Sequence, residues 1–259
     1  MRLLLAACFG VFGDKEGTAR HLPALSTDTS PPSHVIHVIT VLGVQGASRR
    51  ANIKQFFNKQ QQPYVFEPAY VTSPIIPRTL ASGCWDMFTT RKHNPANKKA
   101  TKIAEISAAL VLSHSRLYTR LLQGDMPFML IAEDDVRLVD GFRSHIKHVL
   151  KNLPEAFDVV KLEHCNSKPM VYHYTAVSIH HGQGGPCTAL YIISRAGASL
   201  LLRTNPPLQP CWAIDGSMDV RHRDLYTGDL SRRKLQIYHS DPSLGWQDRA
   251  FPSNPSLNF

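Results

Sequence analysis

The sequence contains no apolar run near the roughly 18 residues a membrane-spanning helix requires, so no segment qualifies as a span on length. It contains no GxGxxG, which removes the dinucleotide fingerprint, and no N-x-Ser/Thr sequon. Among its five cysteines (Cys8, Cys84, Cys165, Cys187 and Cys211) there is no CxxC pair and no Cys/His spacing of a structural zinc site. Buried free thiols are therefore the first expectation, with a loop-closing Cys165–Cys187 disulfide as the alternative. Nor is there a run of five basic residues, although the formal net charge is +9 and the pI about 9.4. That balance favours anionic partners: nucleic acid, anionic lipid or phosphate-bearing small molecules. The scatter of the basic residues, as in "SRRKLQ", argues against a nucleic-acid-binding arm.

What is present is the composition of a globular protein, 43% hydrophobic and 19% charged over 259 residues, enough for one domain with a tail. The opening "MRLLLAACFGVFG" reads equally as a short signal peptide and as an unstructured leader, which leaves localisation open between cytoplasm and secretory pathway. Residues 14–33 are rich in Pro, Ser and Thr and lack periodicity, so 1–33 is a leader or flexible segment and 34–259 the folded domain.

"HVIHVITVL" is short, β-branched and apolar on both faces, as in a strand of a parallel sheet covered on both sides. "SRRANIKQFFNKQ" follows as a helix with Ile53, Phe56 and Phe57 on one face and Ser48 as cap, and "YVFEPAYV" returns as a strand. Strand, helix and strand within about 35 residues make a parallel βαβ unit. "TKIAEISAALVLSHSRLYTRLLQG" is the clearest helix, ending at Gly124 as a left-handed cap. "FMLIAEDDV", "FDVVKLE", "TALYIIS" and "KLQIYH" are strands, with a helix capped by Ser194 after the third. Residues 165–186, with His173, His180 and His181, read as a loop, and the end of the chain as a tail. Alternating elements predict an α/β fold with a mainly parallel central sheet flanked by helices.

Ligands of such sheets bind beyond the carboxyl ends of the strands, where Glu133, Asp134 and Asp135 follow five apolar residues. With extended backbone, Glu133 and Asp135 face one way and Asp134 the other. Two carboxylates at that spacing can share a divalent cation, which in turn can hold a diphosphate. Arg49 and Arg50, after the first strand's loop, are suited to donor phosphate or base.

These motifs, in this order, resemble glycosyltransferase family 25, which includes lipooligosaccharide and collagen galactosyltransferases. "SHVIHVITVLGVQGASRRANIKQFF" is similar to the family's opening strand and Arg-Arg helix, "KIAEISAALVLSHSRLYTRLL" to its "GEIACALSH" helix, and "MLIAEDDVRL" to its acidic strand. "FDVVKLE", "TALYIISRAGASLLL", "AID" and "IYHSDPSLGWQD" continue the match to about Asp248. The resemblance implies a single Rossmann-like domain of GT-A type and an inverting transfer of a hexose, most often galactose. The donor would be a UDP-sugar with Mn²⁺ or another divalent cation, and the acceptor a glycan or glycoprotein. It places Glu133, Asp135 and, as a C-terminal histidine, His239 at the metal, with His180 and His181 as rivals. It places Thr40, Arg49, Arg50, Glu105, His114, Asp134 and Gln247 around the sugar nucleotide. Asp215, with Asp219 in reserve, is the expected catalytic base that takes the acceptor hydroxyl's proton.

Two readings compete with this one. Small departures from the family pattern, Ala132 before the acids and Trp212 and Ala213 where proline is common, would suit a catalytically silent sugar-nucleotide or glycan-binding homologue. A metal-dependent nuclease would need a basic track that the scattered charge does not supply.

Overall fold

Ile36–Thr40 form β1, almost wholly buried, in keeping with its β-branched run. In this computed structural model the described residues are 34–42, 44–70, 98–163, 177–182, 187–204, 214–218 and 235–248. The expected leader and linker lie outside them. A 3₁₀ turn, Val44–Gly46, leads from β1 into α1 (Ala47–Lys59). Gly46 is packed so closely that a Cβ would fall 1.8 Å from the Val41 carbonyl oxygen, and it occupies the position before the helix with no side-chain cap. Ser48, expected as the cap, instead lies inside the first turn. Ile53 and Phe57 of α1 are buried, each such side chain contributing about 1.5–3 kcal/mol.

β2 (Tyr64–Pro68) pairs parallel with β1 and closes the expected βαβ unit. The 26-residue α2 (Lys98–Gln123) then delivers the chain to β3 (Phe128–Glu133), parallel to β1 on its other side. Gly124 follows α2 and donates to Arg120 O, but without a positive φ; among the described glycines only Gly141 has one. The next strand, β4 (Val136–Leu138), leaves the sheet, and α3 (Phe142–Lys151) buries Phe142, Ile146 and Val149. β5 (Val159–Lys161), β6 (Ser178–Gly182) and β7 (Leu190–Ser194) precede α4 (Arg195–Thr204), where Ser194 Oγ accepts the Gly197 amide at 3.0 Å as expected of a cap. A short α5 (Ile214–Ser217), β8 (Ile237–Asp241) and β9 (Gly245–Gln247) complete the described elements.

The seven strands of the main sheet lie in the order β2-β1-β3-β7-β5-β8-β6. β7 runs antiparallel to both β3 and β5, and β6 antiparallel to β8, so β2, β1, β3, β5 and β8 share one direction. One face packs Val38, Leu130, Val160 and Ile192 against Ile53 and Phe57 of α1 and Phe142 and Ile146 of α3. The other packs Ile39, Ile131, Tyr191 and Ile193 against Val111, Leu117 and Leu121 of α2, Leu201 of α4 and Ile214 of α5. Helices on both faces of a mainly parallel sheet make the α/β fold that the element pattern predicted, in the Rossmann-like form that the family resemblance implied.

Two strands fall where the sequence predicted none. β6 lies in the stretch read as loop; it is an edge strand with an exposed face, and its polar "SIHHG" lacks an apolar signal. β9 lies in the stretch read as tail and pairs antiparallel with β4 as a separate ribbon.

Candidate active site

Three parallel strands end at one edge: β1 at Thr40, β3 at Glu133 and β5 just before Glu163. β7 runs the other way, so its start, from Thr188, belongs to the same edge. The chain does not stay extended past Glu133. It turns at Asp134 and Asp135, and the three acids reach different partners because of that turn rather than by strand alternation.

Glu133 Oε1 accepts the Thr188 hydroxyl at 2.6 Å and lies 3.5 Å from His114 Nε2. Burial disfavours its charge, but His114, the Thr188 hydrogen bond and Arg49 outweigh burial and hold the carboxyl below its ordinary range. Asp134 is 6% exposed, and both its oxygens are engaged, Oδ2 by Thr40 Oγ1 at 2.6 Å and Oδ1 by Arg49 Nη1 at 2.8 Å. It therefore ties β1 and α1 to the acidic turn. Thr40 and Arg49 are committed to the same task.

Asp135 Oδ2 accepts Gln247 Nε2 at 2.9 Å and lies 4.0 Å from Arg49, whereas its Oδ1 is buried with no hydrogen-bond partner among the described residues. Burial and then the Glu133 charge push this carboxyl up to about 7, against the Gln247 hydrogen bond and Arg49. Glu163, 3% exposed, accepts no full hydrogen bond at either oxygen. Burial raises it to about 7 as well; the charges of Glu133 and Asp135 add to this, while Lys161 and the Ala189 amide oppose it. The edge thus gathers a set of mutually repelling carboxylates inside a basic protein, the electrostatics of a site that takes up positive charge.

The other expected residues divide. Gln247 comes from β9 to Asp135, and the Asp248 amide bonds the Asp135 carbonyl at 2.7 Å. Asp248 also pairs with Arg137, whose guanidinium lies 4.4 Å over the Phe56 ring, so the ribbon is fastened to α1. Arg50 bonds the Val41 carbonyl and so holds the loop after β1. His114 is wholly buried and so reaches Glu133 rather than a ligand. Glu105 is exposed on α2.

His239 lies on β8, beside β5 rather than beside β3. Its register runs His239, Lys161, Tyr191, Ile131 across the sheet, which sets it three strands, about 14 Å, from β3 and level with Ile131 rather than Glu133. Its ring packs so closely on Gly182 that a Cβ there would fall 2.1 Å from Cδ2. His180 pairs with His239 on edge strand β6, farther still, and neighbouring His181 stacks edge-on against Tyr238. Asp215 lies on the short α5, while Asp219 and His173 lie outside the described residues. Among the described residues, no group of three His, Cys, Asp or Glu is placed to hold a metal ion by itself.

Two site residues escaped the sequence reading. Glu163 ends "FDVVKLE" as Glu133 ends its apolar run, a signal that was there to be read. Thr188 gives none, since a single threonine before a strand is ordinary. Next to it, Cys187 is disulfide-bonded, with its partner outside the described residues. This corrects the expectation of free thiols; composition alone does not say which cysteines the fold brings together.

Comparison with known proteins agrees with this architecture. The model of "Glycosyltransferase family 25 (LPS biosynthesis protein)" matches residues 37–218. The "Lacto-N-neotetraose biosynthesis glycosyltransferase LgtE" of Neisseria meningitidis serogroup B (strain ATCC BAA-335 / MC58) is 25% identical over 236 residues, covering 86% of this chain and 77% of its own. Its counterpart in Neisseria gonorrhoeae is 25% identical over 235 residues, with the same coverage. An acidic turn at the carboxyl edge of a mainly parallel sheet, within a family match spanning both, places this chain in glycosyltransferase family 25 as a glycosyltransferase.

Proposed function

We propose that the protein transfers a hexose, galactose first, from a UDP-sugar to a hydroxyl of a glycan or protein acceptor, with inversion and with a divalent cation such as Mn²⁺. The observation that carries this reading is the pairing of Glu133 and Asp135 at the ligand edge, with Asp135 Oδ1 buried and lacking a donor. A hard oxygen set suits Mn²⁺ or Mg²⁺. Two carboxylates, with diphosphate and water completing the shell, fit the residues present; a cation caged by protein side chains alone does not. When bound, the cation would neutralise charge on the leaving diphosphate. His239, expected as a third ligand, lies three strands from β3, and this oxygen set does not require it.

Glu133 and Asp135 would hold that cation, and the loop after β1, fixed by Arg50 and by Arg49 on Asp134, would border the nucleotide. Asp215 takes the proton of the acceptor hydroxyl as it attacks the anomeric carbon from the face opposite the leaving group, which gives inversion. Asp219 is the reserve base. The relatives' printed role in lacto-N-neotetraose biosynthesis supports a glycan as acceptor.

The test is a donor screen: UDP release from UDP-galactose, UDP-glucose and UDP-N-acetylhexosamines, with a panel of glycan and glycoprotein acceptors, with and without Mn²⁺. Turnover that needs both the cation and one hexose donor is expected. Turnover unchanged by chelation would remove the cation, and a preference for another sugar would remove galactose.

A further inference from the structure

His114 presents a polar side chain in the middle of α2, where the helix packs on the sheet, and it is completely buried. A buried imidazole there costs stability unless both ring nitrogens find partners. Nδ1 lies 2.6 Å from the Tyr191 hydroxyl on β7, and that hydroxyl lies 2.8 Å from the hydroxyl of Tyr118, one turn farther along α2. Tyr191 and Tyr118 are both fully buried, and burial pushes both phenols far above their usual range, so each keeps its proton. The His114 ring also stacks on Tyr191, with centroids 5.7 Å apart and planes 21° from parallel. The imidazole is therefore fixed in place and in orientation before any ligand arrives.

The other ring nitrogen, Nε2, faces Glu133 Oε1 at 3.5 Å, too loose to be a full hydrogen bond, and has no other partner. With the Tyr191 hydroxyl donating to Nδ1, the neutral ring carries its proton on Nε2, aimed at the carboxylate; the opposite tautomer would set lone pairs against each other there. Thr188 donates to the same oxygen at 2.6 Å, and no described residue donates to Oε2. One oxygen of Glu133 is held from inside the core by two groups on two elements, and the other is left for what binds at the edge.

We propose that His114, backed by Tyr191 and Tyr118, is a positioning residue that sets the orientation of the Glu133 carboxylate for the donor's cation and diphosphate. The inference rests on the reading of Glu133 given above. It replaces the expectation that His114 touches the sugar nucleotide, which complete burial forbids. Groups behind a ligating side chain typically cost roughly 10–100-fold in affinity or activity when removed.

The experiment is calorimetric titration of UDP in the presence of Mn²⁺ into the wild type, H114F, H114Q, Y191F, E133Q and the H114F/E133Q pair, with thermal midpoints recorded for each. H114F should weaken binding roughly tenfold, and H114Q, whose amide N–H reaches about as far as Nε2, should recover most of that loss. Y191F should give a smaller loss in the same direction. In the E133Q background, H114F should cost less than about twofold, because a residue acting through Glu133 has nothing left to act on. Wild-type affinity in H114F, or the same factor lost with and without Glu133, would overturn the inference. So would H114Q being as weak as H114F with both midpoints lowered, which is the signature of a structural role alone. E133Q binding as well as the wild type would instead overturn the cation reading, and this inference with it. Should H114F fail to fold, Y191F and H114Q carry the same comparison.

Discussion

Among the described residues, Glu163 has both carboxyl oxygens buried without a hydrogen-bond partner. A buried carboxylate without a full hydrogen bond, close to two other acids, is held up at about 7 from an ordinary 4.5. The raised value means that the unfolded chain releases this proton first as pH rises. Stability is therefore undiminished below about pH 4, is lost progressively between about 4 and 7, and stays low above. Asp135, raised from 3.8 to about 7, acts in the same direction over the same window. Glu133 and Glu67, both held low, oppose this trend only at the acid end. E163Q should then raise the thermal midpoint of the cation-free protein at pH 8 by a few degrees, on a scale of about 2–4 °C per kcal/mol, with little change at pH 5. Differential scanning fluorimetry at the two pH values checks this, and a midpoint that falls at pH 8 would mean that Glu163 is a plain structural residue. At this scale the sequence was partly legible. The three acids stand out because they interrupt an apolar run, but which of them faces a ligand depends on a turn at Asp134 that strand alternation does not foresee.

Among the elements, α4 depends on its close approach to β5. At Gly197 in its first turn, a Cβ would fall 2.4 Å from the Asp158 carbonyl oxygen, a backbone atom that cannot rotate away. The Ser194 amide donates to that same carbonyl at 2.9 Å, so helix and strand cannot separate without breaking it. Gly197→Ala is expected to cost about 1–3 kcal/mol, read by urea denaturation, in spite of alanine's better helix propensity. Elements with a strong period were legible: β1, α2, β3 and the Ser194-capped helix lie where apolar spacing put them. β6 and β9 were not, because an exposed edge strand and a three-residue ribbon strand bury too few side chains to leave a pattern. The reversed direction of β7 was equally hidden, since an apolar run records burial on both faces and not the direction of its neighbours.

For the molecule as a whole, the disulfide at Cys187 is a covalent constraint next to Thr188, and hence next to Glu133. Reducing it should cost about 2–4 kcal/mol of stability. Thermal unfolding with and without dithiothreitol reads this directly, and identical midpoints would show the bond to be dispensable. The fold class was legible from alternating elements, and the chemistry from an ordered set of short motifs. The assembly of the site was not, because its contacts join residues far apart in sequence: Thr40 to Asp134, Thr188 to Glu133, Gln247 to Asp135. The last of these spans 112 positions and brings in a ribbon strand that the main sheet does not need. During synthesis the sheet's first three neighbours, β2, β1 and β3, can pair once Glu133 has emerged, yet Asp135 has no amide partner until Gln247 has left the ribosome. The acidic turn is thus made early and finished late, its last partner arriving with the ribbon strand.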